Sequence, residues 1–231
     1  MNRIFITYQI HLGNIIEILD QTNYLINVLR LSIKSKILIF NGIDGEYIAE
    51  IQEIKKKSIL INIIKKVREQ FFLEELNIYL ANIKPEKMFL AIDLAIQLGA
   101  TSITPIITEY VQYKQVNYDK INKRIIESIE QSNRLDKPTL NQSINFISLI
   151  QQKEKMIIWA NEREIQTNIN DLDIKLFHSI LIGPEGGFSE REKNLMLENQ
   201  NFKSVSLGKT ILRTETALAC AISQMNLLKN K

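Results

Sequence analysis

Hydrophobic and polar positions alternate with a period of two along Glu46-Tyr47-Ile48-Ala49-Glu50-Ile51, the pattern of a strand with one buried face. Apolar runs of strand length flank it at Lys36-Ile37-Leu38-Ile39-Phe40 and Ser58-Ile59-Leu60-Ile61-Asn62-Ile63, and the turn residues Asn41-Gly42-Ile43-Asp44-Gly45 separate the first pair. A hairpin with further strands predicts a small β-barrel in the first third of the chain. A helix over roughly Thr22 to Leu31 interrupts it, with Leu25, Val28 and Leu29 on one face and Arg30 beside them. Lys55-Lys56-Lys57 reads as a solvated hairpin turn.

Composition and period both change after the charged stretch Lys65-Lys66-Val67-Arg68-Glu69-Gln70, which predicts two domains, residues 1–70 and 74–231. Beyond it, strands and helices alternate. Asn77-Ile78-Tyr79-Leu80-Ala81 is a strand; Pro85 then opens a helix whose buried stripe is Met88, Ile92, Ala95 and Ile96 and whose end is Gly99. The strand Ile103-Thr104-Pro105-Ile106-Ile107 precedes a helix from Tyr118 to Arg134, with Ile121, Ile125 and Ile129 at four-residue spacing. Three more strands follow at Met156–Trp159, Ser179–Ile182 and Ser204–Leu207. The fold class is therefore α/β, a mostly parallel sheet with helices on both faces, preceded by the small barrel.

Composition bounds the partners. A 231-residue chain with 45% hydrophobic content is an ordinary packed protein, and 29 basic against 26 acidic residues permit a nucleic-acid partner without demanding one. One cysteine and two histidines exclude a disulfide framework and a Cys/His metal site, so no metal is expected and a reducing compartment is. The first residues lack an apolar signal core, and no apolar run approaches the roughly 20 residues that span a bilayer. The expectation is a soluble cytoplasmic protein with no membrane partner.

Two glycine-bearing loops carry the chemistry: Ile182-Gly183-Pro184-Glu185-Gly186-Gly187, and Leu207-Gly208-Lys209-Thr210-Ile211-Leu212-Arg213-Thr214-Glu215-Thr216-Ala217. Each follows a strand and opens a helix, where α/β proteins bind ligands. Pro184 removes a backbone donor and Glu185 adds negative charge, so the first loop suits an adenosine, a ribose or a sulfonium cation better than a phosphate. After it, Ser189-Glu190-Arg191-Glu192 is a capping box. In the second loop, Thr214 or Thr216 as a cap, Glu215 as a dipole partner and Arg213 as a surface charge are the plain structural readings. No Ser/His/Asp set is spaced for nucleophilic catalysis.

Six ordered segments resemble the RsmE family of small-subunit ribosomal RNA uridine-N3 methyltransferases, within the SPOUT superfamily. They are Asn27-Val28-Leu29-Arg30, Lys84-Pro85-Glu86-Lys87-Met88, Leu98-Gly99 with Ile103-Thr104-Pro105, Glu130-Gln131-Ser132-Asn133-Arg134, Leu181 through Ser189, and Leu207 through Ala217. Asn27, Gln97 and Tyr110 depart from the family's usual His, Glu and Arg. The resemblance implies a PUA-like RNA-binding barrel, a SPOUT domain tied in a trefoil knot, and a homodimer.

It also implies a reaction: methylation of N3 of a uridine, position 1498 in the family's standard numbering of 16S ribosomal RNA, with S-adenosyl-L-methionine as cofactor and the 30S subunit as partner. A SPOUT methyltransferase acting on a ribose 2′-hydroxyl or a transfer RNA, and a non-catalytic ribosome-assembly protein, are the alternatives. The implied cofactor contacts are Asn161 and Glu162; Ile182, Gly183, Pro184, Glu185 and Gly186; and Leu207, Gly208, Ile211 and Leu212. Methylation at N3 requires loss of its proton, and Arg213 is the expected stabiliser of the charge that spreads onto the base. Glu215, Glu130 or Glu185 are the carboxylates that could position the base or take the proton, and Arg3, Arg30, Lys84 and Arg134 are the expected RNA contacts.

Overall fold

The computed structural model describes residues 1–19, 21–152, 155–161, 164 and 167–229. The chain forms two compact units: Met1–Leu73 with Ile129–Lys137, and Glu74–Ser128 with Pro138–Lys231.

The first unit is a five-stranded mixed sheet of β1 (Arg3–Phe5), β2 (Ile15–Ile18), β3 (Lys36–Phe40), β4 (Glu46–Ile54) and β5 (Ile59–Arg68). The order is β1-β3-β4-β5-β2, with β1 parallel to β3 and the other pairs antiparallel. All five strands turn one face onto a single core. Ile4, Ile16, Ile37, Ala49 and Ile61, one from each strand, belong to the same buried cluster, so the sheet curls until its two edge strands share an interior. Register shifts at three points along β4 and β5 supply part of that curl. The turn between β3 and β4 depends on Gly45, which has φ of +94° and lies so close to the Arg68 carbonyl that a Cβ would sit 2.4 Å from it.

The helix expected from Thr22 to Leu31 is present over residues 22–28: an α-type bond from the Leu25 N–H to the Gln21 carbonyl at 2.9 Å leads into a π-helical turn, Tyr24–Val28, closed by the Leu29 N–H on the Tyr24 carbonyl at 3.0 Å. Of its apolar residues only Leu25 is buried, and Val28 is 62% exposed. Arg30 then takes φ of +55°, so the helix ends before the expected Leu31.

On its other face the sheet carries Phe5 and Phe40, packed edge to face, and the segment 129–137 lies against β1. Arg3 fixes that segment. Its Nε donates to Glu46 at 2.7 Å, its Nη1 to the carbonyls of Ile129 and Glu130 at 3.0 Å each, and its Nη2 to the carbonyl of Arg134 at 2.7 Å. The Phe5 N–H donates to the Glu130 carboxylate at 2.8 Å, and buried Arg134 pairs with Asp136.

The second unit is a parallel sheet with helical cover. Its elements are β6 (Asn77–Ala81), α1 (Pro85–Gln97), β7 (Ser102–Ile107), α2 (Tyr118–Gln131), β8 (Thr139–Leu140), β9 (Ile144–Asn145), α3 (Phe146–Ile150), β10 (Ile157–Ala160), β11 (Ser179–Ile182), α4 (Glu190–Glu198), β12 (Phe202–Val205) and α5 (Thr214–Lys229). The strand order is β12-β10-β11-β6-β7-β8, with β9 also on β7, and every pairing is parallel. Such a sheet is buried on both faces, as β6 and β11 show by being buried at every position. One face, with Tyr79, Trp159 and Leu181, packs on Phe146 and Leu149 of α3 and Met196 of α4. The other meets α5, which also packs on α1. Among the described residues no helix is long and apolar enough to cross a membrane.

Candidate functional site

The chain leaves β10, β11 and β12 at neighbouring carboxyl ends, and the three loops that follow enclose a cavity of about 390 Å³. Ala160 and Asn161 come from the first loop, Ile182 to Phe188 from the second, and Leu207 to Arg213, without Lys209, from the third. A concave site beyond the strand ends is where an open α/β sheet holds a ligand. Both loops singled out in the sequence thus meet in one cavity. Asn161 lines it too, with its backbone N–H on the Val205 carbonyl and its amide on Ser204, while Glu162 lies outside the described residues.

Two glycines shape the cavity for different reasons. A Cβ on Gly183 would lie 2.7 Å from the ring of Phe188, which is itself held edge to face against Trp159 and tilted against Phe146. Gly208 has φ of +142° with nothing within 4 Å of a Cβ, so its requirement is conformational and the space beside it is open. Thr214 ties the loops together: its hydroxyl donates to the Gly183 carbonyl at 3.1 Å.

The lining suits an uncharged or cationic small molecule with an apolar ring. Ile182, Leu207, Ile211 and Leu212 supply apolar surface, Pro184 withholds a donor, and Glu185 is an exposed carboxylate on the wall. Ile211, 82% exposed, is an apolar side chain at the rim with little of its own to cover it. S-adenosylmethionine has this chemistry: an adenine ring, ribose hydroxyls and a sulfonium. Residues 182–187 and 207–212 would hold it, and an anionic nucleotide would find no cradle on the Pro184-Glu185 side.

Arg213 is the cation on the cavity wall; it is exposed and, among the described residues, forms no salt bridge. Glu215, two residues on, is buried and accepts a hydrogen bond from Lys87 of α1 at 2.7 Å. Burial pushes its carboxyl up, but the Lys87 hydrogen bond, its own backbone N–H and the charges of Lys87 and Arg213 outweigh that and hold it below the usual 4.5. It is therefore a fixed anion at neutral pH, engaged rather than open to accept a proton.

Replacing Lys87 by Met strands that buried carboxylate, and we expect a loss of about 1–3 kcal/mol of stability at neutral pH. The wild-type pair, with a depressed carboxyl pKa, stabilises above the ordinary carboxylate range and loses that contribution as pH falls through its folded value. In the variant the two Lys87 contributions are gone and burial is opposed only by the backbone N–H and the Arg213 charge, so the carboxyl titrates higher than in wild type and acid relieves part of the strain. Denaturant unfolding of both proteins at several pH values checks this: the gap should narrow toward about pH 4, and a gap that stays constant contradicts the assignment.

The other expected residues lie elsewhere. Glu130, Arg3 and Arg134 belong to the first unit, where all three are committed to the contacts between β1 and segment 129–137. Arg134 is 5% exposed. Arg30, in the first unit, is exposed; Lys84, just before α1, is exposed and near Glu86 at 3.5 Å. Lys87 was not singled out for a role in the sequence, because its partner is 128 residues away. A second concavity, of about 580 Å³ in the first unit, is bordered by Asn23, Asn27 and Lys55 to Lys57, the stretch read as a plain turn.

Comparison with known proteins agrees with this geometry. Residues 70–226 match the family described as RNA methyltransferase domain, and residues 20–64 match the one described as RNA methyltransferase PUA domain. The chain is 35% identical to the ribosomal RNA small subunit methyltransferase E of Rickettsia conorii, over 98% of this chain and 96% of that one. It is 32% identical to the protein of the same name from Buchnera aphidicola of Schizaphis graminum, over 97% and 95%. Among solved structures, a methyltransferase from Legionella pneumophila with the cofactor SAM bound superposes with a TM-score of 0.88 at 28% identity, covering 98% of this chain and 97% of that one.

Proposed function

The chain belongs to the RNA methyltransferase family, and we propose that it transfers a methyl group from S-adenosylmethionine to N3 of a uridine in 16S ribosomal RNA, position 1498 in the family's standard numbering. The observation that carries the reading is the three-loop cavity, where apolar surface and Glu185 take the place of phosphate donors and Arg213 stands on the wall. Two relatives named as small-subunit ribosomal RNA methyltransferases, each at least 32% identical over nearly the whole chain, support the substrate. The Legionella structure with bound SAM supports the cofactor.

The bound cofactor supplies an electrophilic methyl on sulfur. The chain's own residues do the rest. Gly183, Gly208 and Thr214 hold the loops in shape, and the apolar rim at Ile211 and Leu212 excludes water. The neutral uridine N3 has no available lone pair, so its proton must pass to solvent water before attack; the negative charge then spreads over the flanking carbonyl oxygens, and as N3 takes the methyl the carbon–sulfur bond breaks and a neutral thioether leaves. Arg213 stabilises that charge. Glu215 serves as its counter-charge, itself held by Lys87.

Arg30, Lys84 and the Lys55 to Lys57 turn are exposed and suit RNA phosphates. Arg3, Glu130 and Arg134 act indirectly, by building the first unit. A trefoil knot belongs to this reading: β12 pairs with β10 at the sheet edge, yet the α5 that follows it packs on β11 and α1, so the chain doubles back past β10. So do a homodimer and a cytoplasmic location, where assembling subunits are found.

Incubating the protein with labelled S-adenosylmethionine and undermethylated small subunits, then mapping the modified nucleotide, tests the proposal. The expected product is one N3-methyluridine. A methyl group on a ribose or on a transfer RNA would replace it with another reaction.

A further inference from the structure

The cavity wall at Gly186 has a neighbour that the site described so far does not use. The Cβ of Tyr110 lies 3.5 Å from the point a Cβ on Gly186 would occupy, and Tyr110 is 54% exposed. Its backbone is held on both sides. Thr108 and Val111 are buried, the Val111 N–H donates to the Thr108 carbonyl, and the Glu109 N–H donates to buried Glu192 at 2.9 Å. Further along, the side chain of buried Asn82 donates to the carbonyls of Tyr113 and Gln115 at 2.5 and 3.1 Å. Glu192 is thereby used twice, because its other oxygen closes the capping box on Ser189 at the start of α4.

An aromatic ring left half in water on so constrained a backbone contributes little to the core. Its backbone is preformed, so that part of the ordering cost is already met by the fold. Among the described residues its hydroxyl has no hydrogen-bond partner, so the exposed chemistry is the ring face. Lys114, four residues on, is exposed, and Arg213 stands on the wall of the same cavity. An exposed aromatic side chain next to the cavity wall at Gly186, with Lys114 exposed on the same segment and Arg213 on the cavity lining, matches unpaired RNA, whose bases stack on aromatic rings while cations track the phosphates.

We propose that Tyr110 is a stacking platform for an unpaired nucleobase of the RNA substrate at the mouth of the cofactor cavity. The inference rests on the RNA-methylation reading. Stacking gives a role to an exposed ring whose Cβ lies within van der Waals reach of the cavity wall at Gly186. It needs the ring and not the hydroxyl.

The test uses the full chain as Tyr110→Ala and Tyr110→Phe. Anisotropy of a fluorescein-labelled single-stranded oligouridylate reads RNA affinity, calorimetry reads S-adenosylmethionine affinity, and methyl transfer to undermethylated small subunits reads KM and kcat. Tyr110→Ala should weaken oligouridylate binding and raise the subunit KM by about 5- to 150-fold, the range of one base stack. Tyr110→Phe should restore both, with cofactor affinity unchanged in either variant. The proposal is overturned if Tyr110→Phe is as defective as Tyr110→Ala, if Tyr110→Ala binds RNA like wild type, or if Tyr110→Ala changes the sedimentation coefficient, which would make the ring a subunit contact. Failure of the methylation reading looks different: wild type would bind no S-adenosylmethionine and methylate no subunit, whatever stands at 110.

Discussion

A Gly183→Ala variant loses at least about tenfold in S-adenosylmethionine affinity and about 1–3 kcal/mol in stability. The added Cβ would meet the Phe188 ring at 2.7 Å, well inside van der Waals contact. A ring edge on a free side chain could swing away. Phe188 cannot do so cheaply, because it is 4% exposed and packed on both Trp159 and Phe146 in the layer beneath α3 and α4. The backbone of the loop must then yield. That shift breaks the hydrogen bond from Thr214 to the Gly183 carbonyl, which joins the second loop to the start of α5, so one methyl group disturbs two walls of the cavity. Gly186→Ala is the control for stability, since its Cβ would meet nothing nearer than 3.5 Å. Calorimetric titration and denaturant unfolding of both variants measure the effects. Wild-type cofactor affinity in Gly183→Ala would show that the contact is absorbed without moving the loop.

What could be read from the chain depended on how far apart the interacting residues lie. The two glycine loops were legible because each is a local device, a strand end, a turn and a helix start within a dozen residues, and parallel β topology brings such ends together. The capping box at Ser189 and Glu192 was legible for the same reason, and both of its hydrogen bonds are present. The second task of Glu192, holding the Glu109 N–H, spans 83 residues and left no local mark.

Longer separations hid more. Glu130 and Arg134 stand in a motif that reads as functional, but their partners Phe5 and Arg3 are 125 and 131 residues away. Only the folded chain shows segment 129–137 lying on β1. Glu215 looked like an open first-turn carboxylate until Lys87 of α1 was found against it. At Thr22 to Leu31 the helix is shorter than its pattern: Leu25 is buried with Ile26, Leu29 and Leu31 packed against the same core, and the helical residues stop at Val28.

Arg213→Ala should lower the rate of methyl transfer by about 10²–10³ while leaving cofactor affinity within about twofold, the outcome for a group that acts mainly on charge developing in the transition state. Its position argues for that split. The side chain is exposed on the cavity wall with no salt bridge among the described residues, so it is free to meet a second substrate, while Ile182, Leu207, Ile211 and Leu212 supply the apolar surface for the cofactor. Glu215 beneath it is already held by Lys87, which leaves the guanidinium its positive character toward the cavity. Arg213→Lys separates two ways of acting: a point charge should recover part of the rate, and a forked hydrogen bond to the base carbonyls should not be recovered. Single-turnover transfer from labelled cofactor to undermethylated subunits, with calorimetry for cofactor binding, gives both quantities. Equal losses in rate and cofactor affinity would move Arg213 from the base to the cofactor, and an unchanged rate would remove it from the chemistry.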